Sequence, residues 1–474
     1  MADIKNESLK IERLNQIISS IKSKPISEIL SHHGVLFEKT SGRNKLALCP
    51  FHMNTRIGSF SVNDDKGICK CFSCGNGGDA IKFMMLTNDM EYVPATLQLA
   101  ADEGIISKEE FESLSKTKYS NEFIKQMEDK AGQTSFRQRK ADKPKEQISF
   151  ETFVYDNLRL IANLSEEHYK HLKEIRHLSD EIIQPNYFTF RTNWKWKDIV
   201  LRELAKAVSN MYSIDTHEAR IRISKVPGFY WDKTKNCLEL IGYKGIGILI
   251  RDTSGNIRGV QIRRDSIKDG EQRYVWLTSS FAVTSNECDG GGSPGAPLDV
   301  IIPKEIKNAK KICVVEGRFK AEIMKEWGNP VISIQGVTNY NGLEKDIAEI
   351  EQYTGEKITE LYVFYDGDRL RNMNVYAQAV KMGQYIKELR PDIEVLHCLW
   401  HEDLGKGIDD LVFANKLDDV KTFKQKPIED FWIKAVESLT EESHLSRIDK
   451  MTKEQRIIFQ EKLKTRLEEI FLAS

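Results

Sequence analysis

The chain has 474 residues, with 70 Lys and Arg against 71 Asp and Glu and a formal net charge of −1. That balance excludes a polycation, so any nucleic-acid surface has to come from local clustering of basic residues. The length suits two to four domains, and 40% hydrophobic residues can build real cores. No apolar run approaches the roughly 18 residues a membrane span needs. Met1 to Lys10 is polar and lacks the apolar centre of a signal peptide, so a cytoplasmic location without a membrane partner is expected. Eight cysteines in so long a chain do not read as a disulfide framework. Cys69, Cys71 and Cys74 crowd together, which points to metal.

Residues 5–33 read as packing helices. Ile11, Leu14, Ile17, Ile18 and Ile21 recur at helical spacing, and Pro25 opens a second short helix through Ile29 and Leu30. Then come Cys49-Pro50-Phe51-His52 and Cys71-Phe72-Ser73-Cys74. Each half carries two metal-ligating side chains with two residues between them, so one tight turn aims both at one ion. The intervening 59–62, 63–67 and 68–70 suit strand, turn and returning strand of a hairpin. Four ligands on two turns make a closed tetrahedral site for one structural Zn²⁺, held by Cys49, His52, Cys71 and Cys74. Cys69, on the strand, is left out of the ligand set.

These residues carry a resemblance. Leu46 to His52, Ser59 to Val62, and Cys71 to Ile81 with its Gly75-Asn76-Gly77-Gly78-Asp79 run resemble the zinc-binding domain of bacterial replicative (DnaG-type) primases. The likeness runs from about 20 to 106 and includes Leu99-Ala100-Ala101-Asp102-Glu103-Gly104-Ile105. One departure is visible: the loop 53–58 is a residue longer than in that family and lacks its proline. The resemblance implies contact with single-stranded template, for which Arg43, Lys45, Arg56 and Lys70 are the candidates here.

Residues 107–148 are poor in large apolar side chains, and Arg137, Arg139, Lys140, Lys143 and Lys145 make the end of the stretch basic, as in a flexible or partly helical tether between domains. From 149 to about 225 the pattern is mostly helical (150–163, 166–175 and 197–209), with Ser179 as an N-cap. No chemistry is evident there. Two strands follow, 246–251 and 257–264, around the turn residues 252–256. Arg251, Arg258, Arg263, Arg264 and Arg273 add positive charge suited to phosphates. The glycine-rich 290–295 reads as a flexible loop and lacks the Gly-Lys-Ser/Thr ending of a phosphate-binding loop.

Between 312 and 411 short apolar runs alternate with helical patterns, which implies a parallel sheet. Ile312 to Val315 ends in Glu316-Gly317, and Tyr362 to Tyr365 ends in Asp366-Gly367-Asp368; 331–334 and 393–396 are further strands, with helices at 320–327 and 374–389. Acids at the carboxyl ends of such strands stand where ligands bind. Singly, each reads as a loop residue or helix cap. Together they would repel one another without a hard cation such as Mg²⁺ or Mn²⁺.

Glu316-Gly317, Asp366-x-Asp368 and Lys406-Gly407-Ile408-Asp409-Asp410 jointly resemble the TOPRIM domain of primases, topoisomerases and some nucleases. The resemblance implies a metal cage of Glu316, Asp366 and Asp368, with Asp409 or Asp410 as a late contributor, and these first three as the catalytic residues. It also departs: replicative primases carry an aspartate four residues after the glutamate, and here that place holds Lys320. In this respect the chain looks more like the TOPRIM-like domain of phage- and plasmid-borne replication proteins. Upstream, Ile250 to Asp252, Gly259 to Arg263 and Arg273-Tyr274 resemble the segment before TOPRIM in primases, which implies nucleotide and nucleic-acid contacts for Arg263 and Arg273.

The expected architecture is a multidomain α/β chain. It has a zinc-ribbon domain over 1–106, a linker over 107–148, a mixed α+β region over 149–300 forming the N-terminal part of an RNA-polymerase-like primase core, a TOPRIM domain with a parallel sheet over 301–415, and a helical C-terminal region over 416–474. The last of these carries a stripe of Phe459, Leu463, Leu467 and Ile470 that packs on the protein's own core or docks a helicase. The expected activity is that of a DNA primase, a nucleotidyltransferase that joins nucleoside triphosphates into short RNA primers on single-stranded DNA, in phage or mobile-element replication. The alternatives are a TOPRIM metal-dependent nuclease, a topoisomerase-like enzyme, or a non-catalytic single-stranded-DNA-binding replication protein.

Overall fold

The computed structural model describes residues 2–52, 54, 57–117, 143–268, 271–370, 372–443 and 451–473. They fall into two compact units. One draws on 1–138, 369–378 and 429–474, the other on 139–368 and 379–428.

The first unit is built on a five-stranded antiparallel sheet in chain order: β1 (Phe37–Ser41), β2 (Asn44–Ala47), β3 (Phe60–Asn63), β4 (Ile68–Cys71) and β5 (Gly77–Gly78). Alternation along β3 and β4 turns Phe60, Val62, Cys69 and Cys71 inward. The hairpin between them closes through Gly67, at φ +59°, and through Asn63 Oδ1, which accepts the Lys66 N–H at 3.0 Å. Helices Ala80–Asn88 and Tyr92–Asp102 share a core with Leu14, Ile17, Phe60 and Val62. Asp79 caps the first of them, accepting from the Lys82 N–H at 3.0 Å.

Order continues past the expected domain end. Ser107 caps a helix Lys108–Ser115, and its Leu114 is buried against the same core with Phe111 packed beside it. Of the expected tether, 118–142 lies outside the described residues, with Arg137, Arg139 and Lys140. At the other end of the chain, helix Lys453–Ala473 buries Phe459, Leu463, Leu467 and Phe471 in the folded protein. Phe471 thus takes the inward place expected of Ile470.

The second unit holds three sheets. In the four-stranded one, β9 (Gly245–Arg251) and β10 (Ile257–Arg264) lie between β11 (Tyr274–Trp276) and β6 (Tyr187–Phe190). Asp252 Oδ1 ties the β9–β10 turn by accepting from the backbone N–H groups of Ser254 and Asn256 at 3.0 and 2.9 Å. β6 interrupts a stretch expected to be helical. Its four residues are all buried, and so short an apolar run has no period to betray it. β7 (Phe229–Asp232) and β8 (Cys237–Leu240) form a hairpin joined by β12 (Cys288–Asp289).

The glycine run after β12 is packed rather than loose. A Cβ on Gly290 would fall 2.5 Å from the Ser224 carbonyl oxygen, and one on Gly291 would fall 2.5 Å from that of Ser279. Only glycine permits this approach at φ +74° and +77°.

The largest sheet has the order β13 (Asp299–Ile301), β15 (Val331–Ile334), β14 (Lys311–Glu316), β16 (Glu360–Phe364), β17 (Glu394–Leu399) and β18 (Lys421–Lys424). β15, β14, β16 and β17 are parallel, while β13 and β18 run antiparallel at the edges. β18 lies within the stretch expected to be helical. Four residues flanked by lysines leave no readable alternation, and pairing with β17 alone defines the strand. From β14 the chain crosses first to β15 on one side and later to β16 on the other. The crevice beyond the carboxyl ends of β14 and β16 is therefore the switch point of the sheet, the usual ligand position in such folds.

Candidate functional site

In the first unit, Cys49, His52, Cys71 and Cys74 bring one ligand atom each to within 4.8 Å of one another. Cys49 Sγ and Cys74 Sγ are 3.8 Å apart, and Cys71 Sγ is 3.6 Å from His52 Nδ1. A tetrahedron with Zn–S bonds of about 2.3 Å has edges of about 3.8 Å, so the separations fit zinc. Backbone N–H groups of Phe51 and Cys74 donate to Cys49 Sγ at 3.3 Å and Cys71 Sγ at 3.5 Å, which suits thiolates. Burial pushes the Cys49 thiol up, whereas hydrogen bonds from Cys49 and Cys74 hold Cys71 down. Three thiols this close need a cation to ionise together. Cys69 points into the core, 1% exposed, and burial pushes its thiol up to about 12.

Two late residues reach this knuckle within the same unit. Arg456, 3% exposed, donates from Nη1 to the Cys49 carbonyl at 2.7 Å and to Asn54 Oδ1 at 3.1 Å, and Asn54 Oδ1 also accepts the Cys49 N–H. Gln378 Nε2 donates to the Cys74 carbonyl at 3.3 Å. Neither was legible in the sequence, since no local spacing links them to the knuckle. Among the basic candidates, Lys45 is tied to Ser27 Oγ and Asp64, and Lys70 to the Gly75 carbonyl. Arg43 is exposed beside Asp65, and Arg56 lies outside the described residues.

The second unit carries the acids. Glu316 is the last residue of β14, and Asp366 follows β16 by two residues. Asp409 and Asp410 open helix Ile408–Phe413, where Asp410 Oδ2 accepts the Gly407 N–H at 2.9 Å. Asp368 sits in the turn Gly367–Leu370, and its side chain lies outside the described residues. A residue regarded in the sequence only as a departure enters this crevice. Lys320 Nζ donates to Asp366 Oδ1, with both side chains mostly buried. Burial works against the ammonium, but Asp366, with Glu316 and Asp409 in electrostatic reach, raises the Lys320 pKa on balance. Burial and neighbouring Asp410 raise Asp409, opposed by Lys320 and Arg176.

Arg176 stands 4.0 Å from Asp409 Oδ2 and 4.9 Å over the Phe319 ring. It comes from the stretch where no chemistry was evident, because its partner is distant in the chain. His171, one π turn earlier, is pushed down to about 4 by burial and by Arg263 and Arg176. Arg263 lies on β10 opposite Tyr274, and Arg273 just before β11 donates to the carbonyls of Arg264 and Asp265 at 3.4 and 3.5 Å. Arg251 is spent on the fold, donating to Asn186 and to the Pro185 and Gly255 carbonyls. Arg258 pairs with Asp252, and Arg264 with Glu271.

Residues 12–114 match the CHC2 zinc finger, and residues 304–419 match a domain of unknown function, DUF3854. The first unit therefore contains a CHC2 zinc ribbon. Curated relatives of the chain are DNA primases. That of Lactococcus lactis is 37% identical over 91 residues, 19% of this chain and 14% of the relative. That of Helicobacter pylori is 43% identical over 90 residues, 19% of this chain and 14% of the relative. The N-terminal ribbon is of the DnaG-primase type, and the matched stretch spans about a seventh of those relatives' length. Among solved structures, the Aquifex aeolicus primase zinc-binding and RNA polymerase domains align over 98% of this chain and 99% of that one at 19% identity, with a TM-score of 0.39. The E. coli primase catalytic core covers 68% of this chain and 96% of its own at 15% identity and a TM-score of 0.38.

Proposed function

We propose that this protein is a DNA primase, a nucleotidyltransferase that makes short RNA primers on single-stranded DNA, serving phage or mobile-element replication in the cytoplasm. The observation that carries the reading is the CHC2 ribbon, related to DNA primases, on one chain with an acidic crevice at the switch point of a parallel sheet. On this reading the crevice belongs to a TOPRIM-like domain. Its oxygen donors, Glu316, Asp366 and Asp368 with Asp409 or Asp410, suit a hard cation, Mg²⁺ or Mn²⁺. When bound, such a cation supplies neutralisation of charge developing on the α-phosphate.

The chain's own residues do the remainder. Arg263 and Arg273 bind nucleotide and template phosphates. Lys320 fixes the Asp366 carboxylate, and Glu316 serves as ligand or as proton acceptor from the attacking 3′-hydroxyl. The zinc ribbon holds single-stranded template, and a replicative helicase is the protein partner such an enzyme serves. Purified protein is incubated with single-stranded DNA, labelled nucleoside triphosphates and Mg²⁺ or Mn²⁺. Short labelled products, absent with Asp366→Ala, are expected. Shortened DNA instead would turn the reading to a nuclease. Binding without either product would turn it to a single-strand-binding protein, the reading to which the pairing of Asp366 with Lys320 would then belong.

A further inference from the structure

A carboxylate that bridges two divalent cations, about 3.5–4 Å apart in two-metal sites, gives one oxygen to each. In this crevice Asp366 Oδ1 is already engaged by the Lys320 ammonium, and the pair is shielded, with side-chain exposures of 18% for Lys320 and 15% for Asp366. The ammonium does not arrive from a loop that swings. Lys320 sits on helix Arg318–Met324, which begins directly after Gly317 at the end of β14, and Ala321 and Met324 of that helix are fully buried. The opposite wall is shaped for it. A Cβ on Gly407 would lie 2.8 Å from Lys320 Cε and 2.1 Å from Asp409 Oδ1, so the bare backbone there is what lets lysine and aspartate converge.

We propose that Lys320 is a resident cation that takes the place of a second divalent ion, so that the crevice binds one Mg²⁺ or Mn²⁺ per chain. The inference rests on the metal-site reading given under Proposed function. A unit charge fixed on Asp366 Oδ1 leaves Oδ2 as the one oxygen of that residue the ammonium does not engage. It also repels any second ion brought within a few ångströms. Glu316 and Asp366, with Asp409 or Asp410, would hold the remaining ion and neutralise part of its charge.

The test is a Mn²⁺ titration of the zinc-loaded full-length chain, read by electron paramagnetic resonance of free Mn²⁺. Thiolate-rich ligands keep zinc in the ribbon. The wild type is expected to take up one Mn²⁺ per chain. Lys320→Asp is expected to take up two. Lys320→Met, close in shape and neutral, is expected to take up one at least about tenfold more tightly. Circular dichroism and a thermal melt identify a variant that has lost its fold, and Lys320→Met then stands in for the aspartate variant. Two ions in the wild type, or one ion in Lys320→Asp with unchanged affinity in Lys320→Met, would overturn the inference and leave the metal site standing, provided that Asp366→Asn abolishes uptake. No uptake by the wild type or either lysine variant would overturn the metal-site reading itself.

Discussion

Arg456 Nη1 donates to the carbonyl oxygen of Cys49 at 2.7 Å across 407 positions of chain. A residue near the end of the sequence thereby secures the first ligand of the zinc knuckle. Its guanidinium is buried and also holds Asn54, whose side chain accepts from the Cys49 N–H. Arg456→Ala leaves that carbonyl without its partner, at a cost of about 1–3 kcal/mol. Zinc transfer to a chromogenic chelator is expected to quicken in this variant, with the metal content at rest unchanged.

The knuckle itself tolerates less. Cys71→Ser removes a ligand that lies both on β4 and in the hydrophobic core of the first unit. Closed zinc sites contribute folding free energy outright. This variant is expected to purify without stoichiometric zinc and to lose the cooperative melting of the first unit. Metal analysis and calorimetry read both effects.

A second prediction of stability concerns a buried ion network in the other unit. Arg318, 6% exposed, meets both oxygens of Asp299 at 2.7 and 2.8 Å and Glu322 Oε1 at 2.8 Å. Asp299 Oδ1 also accepts the Arg251 N–H from β9 at 2.8 Å, tying the four-stranded sheet to the parallel one. Removing one member leaves charge stranded in the interior. Arg318→Met is expected to destabilise by about 3–5 kcal/mol in a urea melt. Asp299→Asn, which keeps the shape, is expected to cost less than Arg318→Met.

His171 sets a pH dependence. Its pKa is pushed down from 6.5 to about 4, first by burial and then by Arg263 and Arg176, with His168 adding to the shift and Asp265 opposing it. The unfolded chain takes up this proton as pH falls below about 6.5, and the folded chain resists until about 4. Stability is therefore lost as pH drops through that window and is fully present above it. Midpoints of urea unfolding between pH 7 and 4 are expected to fall less steeply for His171→Gln than for the wild type.

Gly407→Ala isolates the geometry of the crevice. At φ −106° alanine is conformationally at ease, so any effect comes from the added methyl against Asp409 and Lys320. On the proposed primase activity, primer synthesis is expected to fall by at least about tenfold, about 1.4 kcal/mol in transition-state stabilisation, with the melting temperature near that of the wild type. Unchanged synthesis would show that Asp409 and Lys320 need not converge.

What was legible in the sequence was what local spacing encodes. Cys49 with His52 and Cys71 with Cys74 sit on single turns, and the hairpin between them is short, so pattern alone brings them together. The runs ending at Glu316 and after Phe364 read as strands because β-branched and aromatic residues crowd them, and the structure builds strands there. The Lys320–Asp366 pair, Arg176 beside Asp409 and Arg456 at Cys49 join residues distant in the chain, and no period marks such pairs. The strands β6 and β18 were missed for another reason: four residues are too few to show alternation. The helix at 108–115 falls in a stretch expected to be flexible or partly helical, and its bounds were not legible because Leu114 and Phe111 are the few apolar side chains it needs, in a stretch otherwise polar.

The long span between Cys49 and Arg456 also imposes an order in time. At about 5–20 residues per second, a ribosome takes roughly 20–80 s to travel from one to the other. Once Cys74 has been made, the nascent knuckle has all four ligands for most of that interval but not the Arg456 hydrogen bond to the Cys49 carbonyl. Arrival of the arginine then ties the Cys49 carbonyl and Asn54 together, so the finished knuckle is a late product of synthesis.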